Sequence, residues 1–366
     1  MIYFLLMIYI IIISFWAKKM ETQKKVVRFK GTKKKIVFST DFFFTILILT
    51  PMAYMAANRS YLIGSDTAGV YRLIYYEGYA VKNWKSTFYE GIFIQYVKAL
   101  YRFFHDFDAL LLFSFILIGV VFVPYFLKRR NKINICISLL IFFVWIFCPY
   151  LNVLRQILAV AISFWGLNFL EKRKIKSAVV VWIVASFIHV TSIVMFLYLV
   201  PYFFRDSVNR KKIPLIFALS PIAIFFALNI VVKLPLFSKF SNKVGAFVLE
   251  NINTKFFLLP LLVLPLVIIY WKKILVLDEF NYIHICGYIL IFSSVLLSGY
   301  LWYAFRMMYY FIPSMIIIVG QIGNCCSNRR QKYIVDLYLI MSIIISFVLV
   351  YVLNNTDGIY PFIWRR

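Results

Sequence analysis

Arg155 is the only formally charged residue between Ile135 and Leu170, and it sits in the polar run Asn152-Val153-Leu154-Arg155-Gln156. An arginine in such apolar surroundings costs several kcal/mol unless it faces a cavity, a partner or a ligand. Its planar five-donor fork keeps its charge and matches phosphate oxygens in pairs. Asn152 and Gln156 flank it at the start of an expected helix, so the three side chains can share one pocket. The plainer reading is an interfacial arginine whose head reaches the lipid headgroups.

Three further places could carry chemistry. The run Arg59 to Tyr71 contains Gly64-Ser65-Asp66-Thr67, which is turn chemistry, with Asp66 or Thr67 suited to cap a helix starting near Ala68. With Arg59 upstream and Glu90 downstream, the same segment also suits a polar ligand. His189 lies in an apolar setting that often marks a structural histidine, yet its ordinary pKa suits proton transfer near neutral pH. Arg306 opens an aromatic-rich run where interfacial anchoring is the competing reading. Asp41 is expected to pair with the basic stretch near it, and His105 and His284 have no partners that the sequence can assemble.

These residues must be positioned by membrane helices. The chain has 366 residues, 63% of them apolar and 20% aromatic, with mean hydropathy +0.87, far above a soluble domain. Most of it lies in apolar runs long enough to cross a bilayer as helices, and the linkers are too short for a separate soluble domain. The expectation is one all-α polytopic integral membrane domain over residues 1–366, with a long outer re-entrant or amphipathic segment at about 58–108. The net charge of +26 does not imply nucleic acid here, because Lys and Arg concentrate in alternating loops. The five cysteines have no His or second pair at metal spacing, so neither a disulfide framework nor a metal site is expected. The first apolar run, Ile2 to Trp16, lacks a basic leader and a small-residue cleavage site, and reads as a retained span.

Nine Lys/Arg between Ala17 and Ile36 put that stretch in the cytoplasm and the N-terminus outside. Expected spans follow at about Val37 to Ala57, Ala109 to Leu127, Ile133 to Leu151 and Ile157 to Leu170. Ala178 to Phe204 is either one tilted helix or a hairpin turning near His189. Only the hairpin keeps the basic loops at Arg205 to Lys212, Lys272-Lys273 and Arg329 to Lys332 inside. Further spans are expected at about Pro214 to Val232, Phe256 to Trp271, Tyr282 to Gly299, Arg306 to Ile322 and Tyr333 to Leu353. That gives about 12 spans, or 11 if Ala178 to Phe204 is one helix, with both termini outside. Asp66, Asn152, Arg155, His189, Arg306 and the tail from Asn354 then share the outer side.

The ordered blocks resemble the EpsG family of bacterial exopolysaccharide and O-antigen polymerases, which are Wzy-type membrane proteins. The matching pieces are Arg59-x-x-x-Ile63-Gly64-Ser65-Asp66-Thr67 with Tyr71, Tyr89-Glu90, Asn152-x-x-Arg155-Gln156-x-x-Ala159, Phe187-x-His189, Arg306-x-x-Tyr309 and Tyr360-Pro361-Phe362. Ser65 stands where the family usually has Thr, and Gly91 where it usually has Pro, which weakens the match at Glu90. The resemblance implies a bacterial plasma-membrane enzyme that joins oligosaccharide repeats carried on undecaprenyl diphosphate at the outer face. A flippase and a chain-length regulator of the same pathway would be its partners, with no nucleic acid and no cofactor or metal.

In that chemistry the leaving group is an anionic lipid diphosphate, so fixed positive charge should supply the largest catalytic effect. Arg155 is the first choice, with Arg59 and Arg306 in support, and Asn152, Gln156, Tyr71 and Glu90 as further substrate-binding candidates. His189 or Asp66 would take the proton of the acceptor hydroxyl, with His189 preferred because Asp66 also suits capping or sugar binding. A polysaccharide ligase would share the donor but make a single transfer. A flippase would distribute polar residues through the bilayer and show an internal repeat, which the sequence does not. A structural subunit would tolerate loss of Arg155 and His189 together.

Overall fold

In the computed structural model, described over residues 1–20, 24–28, 35–77, 91–207, 209–220, 252, 254–300 and 304–364, the apolar runs are helices. Helices satisfy every backbone group internally, which hydrocarbon surroundings demand. In chain order they are α1 (Ile2–Lys19), α2 (Thr40–Asn58), α3 (Arg72–Glu77), α4 (Gly91–Phe104), α5 (Phe107–Lys128) and α6 (Ile135–Tyr150). Then come α7 (Leu154–Glu171), α8 (Ile175–Ile188), α9 (Val190–Phe203), α10 (Ile213–Ala218) and α11 (Thr254–Leu277). The last four are α12 (Asn281–Gly299), α13 (Ala304–Tyr310), α14 (Ile312–Cys325) and α15 (Arg329–Leu353). Six of these are long and apolar enough to cross a membrane, or seven if α13 and α14, bent by 53°, count as one.

The expected span from Pro214 is helical in α10, and its continuation past residue 220 lies outside the described residues. The basic stretch after α1, expected as a plain loop, holds a two-stranded antiparallel ribbon of β1 (Lys24–Arg28) and β2 (Lys35–Ser39). The β-branched pairs Val26-Val27 and Ile36-Val37 face each other in register and favour extended backbone. Ser39 then caps α2 by accepting the Phe42 N–H.

Helices α6 and α14 are buried around nearly their whole circumference, as expected of helices that are apolar on every side. Outer helices expose apolar stripes instead, as α1 does with Leu5, Ile8, Ile12 and Phe15. Such stripes suit lipid.

The two ends of the bundle differ in charge. At one end the basic loops meet each other. Arg130 donates to the Ala17 and Met20 carbonyls and pairs with Asp41, Lys132 with Asp278, and Arg173 with Glu279. Asp41 was expected to pair with the basic stretch near it in sequence; its partner is Arg130, after α5. His284, for which the sequence offered no partner, is buried and bonds Glu171 at 2.8 Å. Glu171 also accepts from Tyr125 and Arg129, and His284 reaches Ser314, which bonds Tyr198. This buried polar chain ties α5, α7, α9, α12 and α14 together.

The chain turns at His189, whose extended backbone breaks the helix. The rings of Trp182 and Phe196, fourteen residues apart, pack edge to face at 5.7 Å, so α8 and α9 fold back on each other as a hairpin. Trp182 donates to the Ser163 carbonyl. A Cβ on Gly166 would stand 2.4 Å from the Trp182 ring nitrogen, which is why α7 and α8 approach this closely.

Candidate functional site

The end opposite the basic loops gathers the exits of several helices. The segment after α2, the α6–α7 connection, the α8–α9 turn, α13 and the tail after α15 converge there. Gly64 makes the first close approach. Its φ of +82° is open to glycine, and a Cβ would meet the Leu151 carbonyl oxygen at 2.2 Å. Its N–H donates to the Gly358 carbonyl. The turn chemistry at Gly64 to Thr67 therefore serves a three-way junction of loops.

Asn152 stands at the centre of that junction and is 2% exposed. Its Oδ1 accepts from the Asp66 backbone N–H at 2.9 Å and from Ser65 Oγ at 3.3 Å. Its Nδ2 donates to Asp357 Oδ1 at 2.8 Å. Asp357 itself lies in the left-handed region, at φ +67°. Burial raises the Asp357 carboxyl pKa, opposed by the Asn152 hydrogen bond and the positive charge of Arg306.

Asp66 reaches outward to Arg306, with Oδ2 to Nη1 at 3.8 Å and both side chains about a third exposed. The Arg155 guanidinium lies 5.9 Å from the Phe93 ring centroid, and its backbone N–H donates to Tyr71 Oη at 3.4 Å. Asp66, Arg155 and Arg306 are thus the predicted charges left accessible at this end.

Other candidates play a different part. Arg59 is fully buried, donates from Nη2 to Thr67 Oγ1 at 3.1 Å and lies over the Tyr150 ring. Thr67 in turn donates to the Leu151 carbonyl. Tyr71 and Gln156 are also buried, and Gln156 Nε2 donates to the Arg306 carbonyl at 2.8 Å. Arg59, Tyr71, Asn152 and Gln156, expected to bind substrate, lie buried here and form a frame behind Asp66, Arg155 and Arg306. Sequence pattern does not separate the two roles, because a buried amide and an exposed one are the same letter. Glu90 lies outside the described residues.

His189 has Nδ1 at 2.6 Å from Thr191 Oγ1 and 3.4 Å from Tyr310 Oη. Burial, reinforced by the nearby charges of Arg155 and Arg306, pulls its pKa down to about 3. That direction runs against an imidazole titrating near neutral pH: burial is its main cause, and the two arginines selected for anion binding add to it.

Asp357 was missed. In Asn354-Asn355-Thr356-Asp357-Gly358 it looks like one more turn residue, and only its contact with Asn152 distinguishes it. No group of three or more His, Cys, Asp or Glu that could hold a metal occurs among the described residues.

The model of the EpsG family matches residues 41–364. The chain belongs to the EpsG family. In this EpsG-family protein the match begins at the start of α2 and runs through the tail, so every segment that builds the site lies inside it. Helix α1 and the ribbon precede it. With its several apolar helices, the protein is a multi-pass membrane protein. Among curated proteins and among solved structures, none matches the chain.

Proposed function

We propose that this EpsG-family protein is a Wzy-type polymerase that joins undecaprenyl-diphosphate-linked oligosaccharide repeats at the outer face of the bacterial plasma membrane. The observation that carries the reading is the Asp66–Arg306 pair, with Arg155 at the same end, on a buried frame opposite the basic loops. Positively charged loops favour the cytoplasm, which puts Asp66, Arg155 and Arg306 on the outer side. The N- and C-termini, whose first and last helical turns lie at that end, follow them.

In the proposed reaction an acceptor hydroxyl oxygen attacks the anomeric carbon of the growing glycan. The bond from that carbon to the lipid diphosphate oxygen breaks, and the diphosphate leaves with the electron pair. Arg155 and Arg306 stabilise the charge that develops on it, the kind of fixed electrostatic help that dominates many catalysed transfers. The hydroxyl proton goes to Asp66, a partly exposed carboxylate beside Arg306. Burial holds His189 neutral, and it serves as a hydrogen-bonding wall. Asn152 orients Asp66, and no nucleotide donor enters.

The test is polymerisation of purified lipid-linked repeats by the full chain in vesicles. Arg155→Lys should lose most polymer while the protein still inserts, because an ammonium lacks the bidentate fork. Near wild-type chain length would remove Arg155 from the diphosphate role. A single transfer in place of a ladder would make the protein a ligase.

A further inference from the structure

The basic end carries a feature that the polymerase reading does not use. A cavity of about 680 Å³ lies between α5 and α7, within the range that holds small ligands. Its walls are apolar, including Leu117, Val121, Leu158 and Trp165. Leu117 is 44% and Trp165 49% exposed, so the groove opens sideways, where a bilayer would be. Its mouth is polar and cationic, formed by Lys128, Arg129, Asn168 and Lys172.

The charges at that mouth do not cancel. Arg129 is paired with Glu171. The nearby acids Asp278 and Glu279 pair with Lys132 and Arg173. Lys128 and Lys172 are exposed and have no ion pair among the described residues. No carboxylate lines the cavity. Two free ammonium groups and an amide therefore face an apolar trough.

Length narrows the occupant. At about 1.5 Å per residue, the trough runs roughly 16 Å along α5 from Leu117 to Lys128, and roughly 21 Å along α7 from Leu158 to Lys172. That is about half to two thirds of a hydrocarbon core about 30 Å thick. It matches one acyl chain of one leaflet, with the headgroup among the basic loops; a long polyprenyl tail would exceed its length.

We infer that the α5–α7 groove binds an anionic glycerophospholipid of the leaflet that faces the basic loops. An acyl chain fills the trough, and the phosphate and its remaining negative charge meet Lys128 and Lys172. Because Arg129 belongs both to the mouth and to the Glu171–His284 chain, the lipid buttresses the contacts that hold five helices together. The inference stands whether or not the protein is a polymerase.

The experiment is native mass spectrometry and thermal unfolding of the full chain in detergent, titrated with phosphatidylglycerol or with phosphatidylcholine of identical acyl chains. Phosphatidylglycerol should bind more tightly and raise the unfolding temperature. Each juxtaposed cation contributes about fivefold to affinity for an anionic lipid, so the double variant K128Q/K172Q should bind phosphatidylglycerol roughly 25-fold more weakly. Its phosphatidylcholine binding should not change. Both lysines are on the surface, so folding of this variant is not in question. Ile162→Trp, which places an indole in the trough, should reduce retention of both lipids. Equal binding of the two lipids, or an unchanged double variant, would overturn the inference. Displacement of phosphatidylglycerol by an equal concentration of undecaprenyl phosphate would overturn it too, by making the occupant the pathway's own carrier.

Discussion

Asn152 and Asp357 lie 205 residues apart in sequence and meet through a 2.8 Å hydrogen bond, Nδ2 to Oδ1. The same amide accepts the Asp66 backbone N–H through Oδ1. One side chain thus sets the positions of two carboxylates, one on the segment after α2 and one on the tail after α15.

Asn152→Ala should therefore disturb both aspartates at once. Misplacement of a reacting group by about 1 Å costs on the order of a hundredfold in rate, and polymer formation should fall by about that factor. Thermal unfolding should shift far less than activity does. An Asn152→Ala protein with full polymer yield would show that Asp66 needs no such support.

Gly64→Ala should act on stability. The new methyl group would sit 2.2 Å from the Leu151 carbonyl, on a residue at φ +82°. Strain and clash together are expected to cost on the order of 2 to 4 kcal/mol, read as a lower denaturant or thermal midpoint. An unchanged midpoint would mean that the junction of the three loops yields easily.

His189 gives a pH prediction with a definite sign. Its folded pKa lies near 3, below the unfolded value of 6.5. Between these values the unfolded chain binds a proton that the folded chain does not, so stability falls as pH drops from about 6.5 toward 3. Above 6.5 the effect is absent. His189→Gln should remove this part of the acid sensitivity while leaving the profile above pH 7 in place. If instead wild type carries an activity inflection near pH 6 that His189→Gln abolishes, the imidazole titrates after all.

Glu171→Ala should be costly although it lies far from Asp66. Removing the carboxylate leaves Arg129, Tyr125 and His284 without their common acceptor. Breaking one side of a buried pair costs about 3 to 5 kcal/mol. Loss of yield or a sharply lower unfolding temperature is expected, and a variant as stable as wild type would mean that water takes over those contacts.

Much of this arrangement is legible in the sequence. Alternating basic loops and the polar run around Arg155 were enough to bring Asp66, Asn152, His189 and Arg306 to one end, because charge asymmetry and apolar length are written directly in residue types. Basic loops kept on one side also require the turn at His189, across which Trp182 and Phe196 pack. What stayed hidden depends on long-range pairing. Glu171 and His284 are separated by 113 residues, and neither spacing nor composition joins them. Asp357 looks like a turn residue until Asn152 is beside it. The division between frame and exposed charge is hidden for the same reason: burial follows from packing, and packing of helices onto helices has no local signature.

The hairpin at His189 has a consequence for the lipid around it. Its first limb, Ile175–Ile188, has 14 residues, or about 21 Å of helix, against a hydrocarbon slab near 30 Å. A hydrophobic mismatch of that size is relieved when the surrounding lipid compresses. The leaflet beside His189 would then dip, so that in the proposed polymerase a sugar on a polyprenyl carrier would be presented to Asp66 and Arg306 by the shape of the membrane as well as by the protein.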